Sequence, residues 1–118
     1  MKARIITAAL AATVLAVLSG SAAAQNYPRR PVEMVIPFGV GGASDIFARQ
    51  YAQIVEKYLG KPLVAVNKGG AGTIEGLMHA FGAPADGYTV LEITPSLLIV
   101  EAQNKTSVKF RKEFEPIM

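Results

Sequence analysis

The sequence predicts an α/β fold built on a parallel sheet, and two observations support this prediction. Strand-like apolar runs alternate with amphipathic helical patterns in the order β-α-β-α-β. A glycine-rich loop lies between strand and helix in each of the first two units, at residues 39–44 and 67–72. This alternation is typical of parallel strands joined by right-handed helical crossovers.

The first unit begins with an apolar run at Val32–Ile36, and its pattern together with Pro37 predicts a mostly buried strand. Ser44 or Asp45 is well placed to cap the following helix, and Gly60 to end it. We predict that the buried face of this helix consists of the large apolar residues that recur at helical spacing, namely Phe47, Tyr51, Ile54, Val55 and Tyr58.

The second and third units repeat the pattern in shorter form. Leu63–Val66 predicts a second strand and Tyr88–Thr94 a third. Leu97–Val100 fits the start of either a helix or another strand. Between the second and third strands we predict a short amphipathic helix whose apolar face carries Ile74, Leu77, Met78 and Phe81.

The N-terminus has the three parts of a secretory signal peptide. Lys2 and Arg4 supply positive charge, residues 5–18 are apolar apart from two threonines, and Ala22–Ala24 provide a cleavage site. That apolar run falls short of the roughly 20 residues that span a bilayer, which argues against a membrane anchor. We therefore predict a signal peptide at residues 1–24 and a mature chain at residues 25–118.

Charge and composition exclude several classes of function. The chain has 12 basic and 9 acidic residues, but two of the basic ones leave with the signal peptide, so the mature chain is nearly neutral. No basic face is left that would indicate nucleic-acid binding. Cysteine is absent and the single histidine, His79, is expected at the surface without a ligand role. We therefore expect no cofactor and no metal site.

The two glycine-rich loops come close to the G-x-G-x-x-G pattern of dinucleotide-binding proteins. Against that interpretation, Ser44 replaces the last glycine, no acidic residue follows the second strand at Asn67, and export removes the chain from the nucleotide pools. Backbone N–H groups in such loops, at the carboxyl ends of parallel strands, can instead bind a carboxylate. That the glycines serve only tight turns and packing stays open as the alternative.

Three motifs carry a resemblance to a known family. Residues 27–49, YPRRPVEMVIPFGVGGASDIFAR, resemble the start of the mature substrate-binding proteins of the tripartite tricarboxylate transporter system, the Bug family. LGKPLVAVNKGGAG and PADGYTVL resemble two further motifs of that family, in the same order. The chain departs from the family pattern at Val40, where proline is usual, and at Thr73, where glycine is frequent. Glu75 adds a negative charge near the second loop, which would disfavour an anion unless it faces away.

The resemblance implies a three-layer, parallel-sheet lobe of the type II periplasmic-binding-protein fold. Because family members are much longer, we expect the N-terminal part of lobe 1 only, with the second lobe absent. The implied function is capture, in the periplasm, of a small organic acid: a di- or tricarboxylate, an acidic amino acid or an aromatic acid. The implied partners are the membrane permease subunits of the transporter.

The resemblance also implies which residues line the ligand cleft. Backbone N–H groups of the two glycine loops would bind the carboxylate, hydroxyl groups would assist them, and Asp45 would cap the helix and fix the first loop. We expect no catalytic residue. The predicted ligand-binding residues are Phe38, Gly41, Gly42, Ala43, Ser44, Asp45, Asn67, Gly72, Thr73, Thr94 and Ser96.

Two alternatives compete with solute binding. An exported hydrolase is disfavoured, because the sequence has no G-x-S-x-G motif and His79 is the one histidine available as a base. An exported α/β domain with a structural or sensor-interaction role remains possible on the residues alone. So does an inactive truncated product.

Overall fold

The computed structural model describes residues 27–117, and the predicted signal peptide at 1–24 lies outside them. The predicted order of alternating strands and helices is confirmed. Along the chain the elements are β1 (Val32–Ile36), α1 (Ala43–Leu59), β2 (Leu63–Asn67), a 3-10 turn (Ala71–Thr73), α2 (Ile74–Phe81), β3 (Thr89–Leu91), α3 (Pro95–Ala102) and α4 (Phe110–Glu113).

The sheet is parallel throughout, with β1 in the centre and the order β2-β1-β3. Ile36 pairs with Asn67 at the end of β2, and Val35 pairs with Leu91 at the end of β3. All three strands therefore end at one edge of the sheet. The loops that follow β1, β2 and β3 meet at this edge, which we call the carboxyl edge.

Helix α1 covers one face of the sheet. Val32, Met34 and Ile36 point to this face and pack with Ala48 and Ala52 of α1 in one buried cluster. Alanine has almost no side chain beyond Cβ, so the helix approaches the sheet closely. The first apolar layer is therefore built from large strand residues against small helix residues.

The predicted buried face of α1 is wrong for four of its five members. Phe47, Tyr51, Ile54 and Tyr58 are exposed, Tyr58 to 86%. Val55 alone, of the five, packs against the core cluster. Periodicity located a helix correctly, but it could not show that the alanine side would be the one that contacts the sheet.

The opposite face of the sheet is covered by α2 and α3. Leu77 of α2 and Leu97 of α3 are fully buried, and they pack with Val108 and Phe110 from the C-terminal segment. Leu91 of β3 joins this second cluster. Helices on both faces give the three layers that the family resemblance implied. In α2 the prediction holds for Leu77, whereas Met78 and Phe81 are nearly half exposed.

Two of the predicted element ends differ from the structure. The N-cap of α1 is Gly42, which replaces the predicted Ser44 or Asp45, and no side chain caps the helix. Gly60 ends α1 as predicted, with φ at 67°. The third strand stops at Leu91 instead of Thr94. The residue after β1 is Pro37, which has no N–H and therefore cannot extend the hydrogen-bond ladder between β1 and β3. Residues 97–100 belong to a helix, α3, which settles the open alternative.

Two further observations concern the described residues 27–117. His79 lies at the surface as predicted, where its Nε2 is 2.8 Å from Oε1 of Glu33. Within this range no helix combines the length and apolar character needed to cross a bilayer.

Candidate functional site

The two glycine-rich loops pack directly against each other at the carboxyl edge. A Cβ atom on Gly69 of the second loop would lie 2.9 Å from the Gly39 nitrogen and 2.9 Å from the Phe38 carbonyl carbon of the first. Any side chain at this position would push the loops apart. Gly69 therefore serves packing, as the alternative interpretation held, and the same packing brings the two loops to one place.

Asp45 organises the first loop from the first turn of α1. Its Oδ2 accepts a hydrogen bond of 2.8 Å from the Gly41 N–H, and its Oδ1 lies 2.9 Å from Nε of Arg49. The residue is only 3% exposed. The Gly41 hydrogen bond, followed by the hydrogen bond from Arg49, lowers the pKa of the Asp45 carboxyl below its usual value. Asp45 is thus ionised, its charge is neutralised by Arg49, and its hydrogen bond with Gly41 fixes the first loop.

Asn67 extends this network to the second strand. Its Oδ1 accepts a hydrogen bond of 2.8 Å from Arg49, and its Nδ2 donates to the Phe38 carbonyl at 3.2 Å. The backbone N–H of Lys68 donates to the Ile36 carbonyl at 2.8 Å. Asn67, at the end of β2, therefore joins the second loop to the first. The amide of Asn67 and the N–H of Gly41 are used within the protein, and their predicted contact with a ligand stays a prediction.

The N-terminus of α1 offers the donors that remain. Gly42, Ala43 and Ser44 occupy the first positions of the helix, where backbone N–H groups have no preceding turn to accept their hydrogen bonds. Gly42 and Ala43 are exposed and Ser44 is half-buried. The positive end of the helix dipole adds to their attraction for an anion.

The second loop has an unusual backbone. Ala71, Gly72 and Thr73 have φ values of 45°, 65° and 82°, so three consecutive residues are left-handed. Such a conformation costs a residue with a Cβ about 1 to 2 kcal/mol. The Thr73 N–H donates to the Gly70 carbonyl at 2.9 Å, so this predicted donor is used within the turn.

The side chains of the second loop are equally unusual. Thr73 is only 8% exposed, and its Oγ1 is buried without a hydrogen-bond partner. The carboxylate of Glu75 folds back over the loop and lies against the position that a Cβ on Gly70 would occupy. Glu75 thus does not face away from the loop. Any anion bound here would meet its charge.

The third loop contributes a residue that sequence reasoning missed. Glu92 follows β3 directly, and its Oε2 is buried without a hydrogen-bond partner. Burial raises the pKa of this carboxyl, and a hydrogen bond with Ser44 partly offsets the rise. The available signal was a single charged residue within the apolar run Val90–Ile93. Of the predicted residues here, Thr94 also has a buried, unpartnered Oγ1, whereas Ser96 is exposed in the first turn of α3.

The structure thus brings all the predicted site residues to the carboxyl edge, because they lie in or next to the loops that follow the three parallel strands. Two concavities lie elsewhere. One of about 420 Å³ is lined by Leu98, Glu101 and Lys109, among others, and one of about 560 Å³ by Tyr27, Phe81 and Phe114, among others. Neither includes a predicted site residue. Within residues 27–117, no group of three or more His, Cys, Asp or Glu side chains is placed to hold a metal ion.

Sequence relatives of the chain are known. Protein BugT of Bordetella pertussis is 40% identical over 87 residues, which cover 74% of this chain and 24% of BugT. A UPF0065 protein in the gbd 5' region of Cupriavidus necator is 38% identical over 88 residues, covering 75% of this chain and 27% of that protein. The chain therefore spans only about a quarter of the length of these relatives. No family model matches it.

Solved structures share the fold. A TctC solute-binding protein from Polaromonas, crystallised without ligand, superposes with a TM-score of 0.68 at 29% identity, over 72% of this chain and 30% of that one. The periplasmic binding protein BugD gives 0.54 at 46% identity, over 55% and 22%. An R. palustris protein solved with adipate gives 0.58 at 34% identity, over 60% and 24%.

The Polaromonas neighbour is a solute-binding protein and BugD is a periplasmic binding protein. The resemblance found in the three sequence motifs is confirmed both by relatives that share about two fifths of the aligned residues and by structures that share the sheet and its helices. The chain belongs to the Bug family of solute-binding proteins.

Proposed function

We propose that this chain supplies the carboxylate-binding face of a periplasmic solute-binding protein that captures a small organic acid for a transporter of the tripartite tricarboxylate type. The ligand would be a di- or tricarboxylate, an acidic amino acid or an aromatic acid. The partners would be the membrane permease subunits, and the chain would catalyse no reaction. The predicted signal peptide and the periplasmic relatives support export.

The observation that carries this proposal is the position of the α1 N-terminus. The exposed N–H groups of Gly42 and Ala43 lie at the carboxyl edge, where open α/β folds bind their ligands. The nearest acidic side chain of the first loop, Asp45, is held by Arg49 and by the Gly41 N–H. Because its charge is neutralised there, it does not oppose an incoming carboxylate.

The neighbour solved with adipate supports the ligand class, since adipate is a dicarboxylate. The match with that protein covers 60% of this chain. A dicarboxylate has two anionic ends, and the carboxyl edge offers two glycine-rich loops. The second loop is the weaker half of such a site, because Thr73 has used its N–H and Glu75 lies over the loop.

Binding is best tested with a substitution that deletes one donor and nothing else. Ala43→Pro removes the N–H at the first position of α1, where proline is well tolerated. The preceding residue, Gly42, has φ −77° and ψ 170°, which a following proline also accepts. We expect the purified chain to bind adipate, succinate or citrate in isothermal titration calorimetry, and Ala43→Pro to weaken that binding about tenfold at unchanged stability.

The matched control is Gly39→Ala. A Cβ at Gly39 meets nothing within 4 Å, so this variant should bind as the parent does. If the folded chain binds none of these acids, nor glutamate or nicotinate, the proposal is overturned. If Ala43→Pro binds as tightly as the parent, the α1 N-terminus is not the site.

One observation favours a second function, an interaction role for the domain. Phe47 and Tyr51 stack with their ring centroids 5.9 Å apart on the exposed side of α1, next to the exposed Ile54 and Tyr58. Exposed apolar patches of this kind are frequent in protein interfaces. A folded chain that binds no acid would favour this second function over solute capture.

A further inference from the structure

Four side-chain oxygens at the carboxyl edge are buried without a hydrogen-bond partner, and one of them, Oδ1 of Asp45, forms an ion pair with Arg49. Oγ1 of Thr73, Oγ1 of Thr94 and Oε2 of Glu92 are each buried without a hydrogen bond. Thr73, with 8% exposure, is the most deeply buried of the three. Buried polar atoms in folded proteins are nearly always paired with protein, water or ligand. Each of these three atoms therefore offers an unused hydrogen-bonding position.

Glu92 begins the third loop, directly after the edge strand β3. Its N–H donates to the Val35 carbonyl at 3.0 Å, which fixes it against the centre of the sheet. Its carboxyl neighbours Ser44 of the first loop. Helix α3, which follows Glu92, contacts the 3-10 turn that contains Thr73. Glu92 is therefore close to the first loop, at the N-terminus of α1.

Glu92 has no ion-pair partner among the residues that the structure describes. In the part of the chain that the structure describes, the ion pairs are Arg30–Asp86, Arg49–Asp45 and His79–Glu33, and none of them includes Glu92. Arg49, the cation nearest to the first loop, is held by Asp45 and Asn67. Ser44 supplies one hydrogen bond to the Glu92 carboxyl, but Oε2 has no donor. An ionised carboxylate is a hydrogen-bond acceptor only, and a cationic donor is the strongest partner for its second oxygen.

We infer that Glu92 is a specificity-determining residue which binds an ammonium group on the ligand, so that the site favours amino acids over simple dicarboxylates. This inference rests on the proposed function, since the ligand carboxylate is held by the α1 N-terminus. The ammonium group supplies the missing donor to Oε2 and the missing positive charge. A dicarboxylate without an amino group leaves Glu92 unpaired and places a like charge near it, which disfavours its binding.

Glutamate and glutarate are the probes, because they share a carbon skeleton and differ in the ammonium group. Affinities for both are measured by isothermal titration calorimetry on the purified chain and on Glu92→Gln. We expect the parent chain to prefer glutamate. Glu92→Gln should weaken glutamate binding about tenfold or more, and leave glutarate binding equal or tighter. Glu75→Gln is the matched control, which removes a carboxylate from the same edge and should leave the preference for glutamate in place.

The possible failures are distinguishable. If the parent chain binds neither probe and none of the other acids, the proposed function is wrong and the inference is overturned with it. If the parent binds glutarate as well as glutamate, or if Glu92→Gln weakens both equally, solute capture stands and the role of Glu92 is overturned. A circular-dichroism melt of Glu92→Gln shows whether a loss of binding comes from a loss of fold. If that variant does not fold, the preference of the parent for glutamate over glutarate decides alone.

Discussion

The Asp45 carboxylate accepts a hydrogen bond from the Gly41 N–H at 2.8 Å, across the N-cap of α1. A side chain in the first turn thus reaches back to the loop, in the manner of a capping box displaced by one residue. Gly41 has φ 84°, which the hydrogen bond helps to hold. The acceptor also uses the Gly41 N–H, which was predicted as a donor to the ligand. Asp45 therefore decides both the shape of the first loop and which of its N–H groups remain available.

The first prediction concerns Asp45→Asn and pH. The pKa of Asp45 is lowered from its usual value of 3.8, first by the Gly41 hydrogen bond and then by Arg49. The ionised form is thus favoured in the folded state, and its contribution to stability is present above pH 3.8 and lost as pH falls through the lowered pKa. We expect Asp45→Asn to be less stable than the parent at pH 7 and equally stable in strong acid, in urea unfolding over a pH series.

The control for Asp45 is Glu56→Gln on the same helix. Glu56 is exposed and its side chain makes no hydrogen bond or ion pair among the described residues, so its replacement should change stability little at any pH. A constant stability difference between Asp45→Asn and the parent across the pH series would contradict the ionised network.

The second prediction concerns Gly76 in α2. A Cβ at Gly76 would lie 2.8 Å from Cα of Pro37 and 2.9 Å from the Lys68 carbonyl. Alanine gains about 1 kcal/mol of helix propensity over glycine. Overpacking against backbone costs about 1 to 3 kcal/mol. We therefore expect Gly76→Ala to destabilise the fold in urea unfolding, and Gly39→Ala, which meets open space, to be neutral. A stabilised Gly76→Ala would show that α2 does not approach the loops this closely.

Features set by local chemistry could be predicted from the sequence. The apolar pattern of Val32–Ile36 gave a buried strand, because each of its faces is covered by helices. Gly60 ended α1 because a left-handed C-terminal residue favours glycine. The two glycine-rich loops were expected at one edge, since parallel strands place the loops after them together. The three family motifs then identified the family.

Features set by packing could not be predicted. The spacing of Phe47, Tyr51 and Tyr58 is as regular as that of Ala48 and Ala52, and hydrophobicity favoured the wrong side. The reason is steric, because β1 presents large residues and leaves room only for small ones. Glu92 was missed for a related reason. Its burial depends on how the third loop meets Ser44, and one charged residue in an apolar run gives no sign of that contact.

The third prediction tests the corrected face of α1. Ala48 is fully buried against the sheet, whereas Tyr58 is 86% exposed. Ala48→Leu inserts methylene groups into a filled space and should cost about 1 to 3 kcal/mol of unfolding free energy. Tyr58→Ser has nearly the same helix propensity and should change stability by less than about 0.5 kcal/mol. Chemical denaturation of both variants separates the two faces. A tolerated Ala48→Leu with a damaging Tyr58→Ser would restore the face predicted from the sequence.

The fourth prediction concerns strain at Thr73. Its φ of 82° suits glycine, and its buried hydroxyl has no partner. Thr73→Gly removes both costs, but glycine loses more entropy on folding, by roughly 0.5 to 1 kcal/mol. We expect a net gain in stability of about 1 kcal/mol in urea unfolding. Thr73→Ala removes the hydroxyl and keeps the left-handed Cβ, so the glycine variant should be the more stable of the two. If the alanine variant is at least as stable as the glycine variant, the left-handed backbone at position 73 is not strained.

The fifth prediction concerns the stability of Glu92→Gln and its opposite dependence on pH. Burial raises the pKa of Glu92 from its usual value of 4.5, and Ser44 offsets part of the rise. The folded state therefore favours the neutral form, so its contribution to stability is complete below pH 4.5 and is lost as pH rises through the raised pKa. Glutamine is neutral at every pH and escapes this loss. We expect Glu92→Gln to be more stable than the parent at pH 7 and equal to it in acid. Asp45→Asn changes in the opposite direction in the same urea series, so an unspecific effect of pH cannot produce both results. A Glu92→Gln variant less stable than the parent at pH 7 would show that interactions within the fold, such as the hydrogen bond with Ser44, outweigh the burial that favours the neutral form.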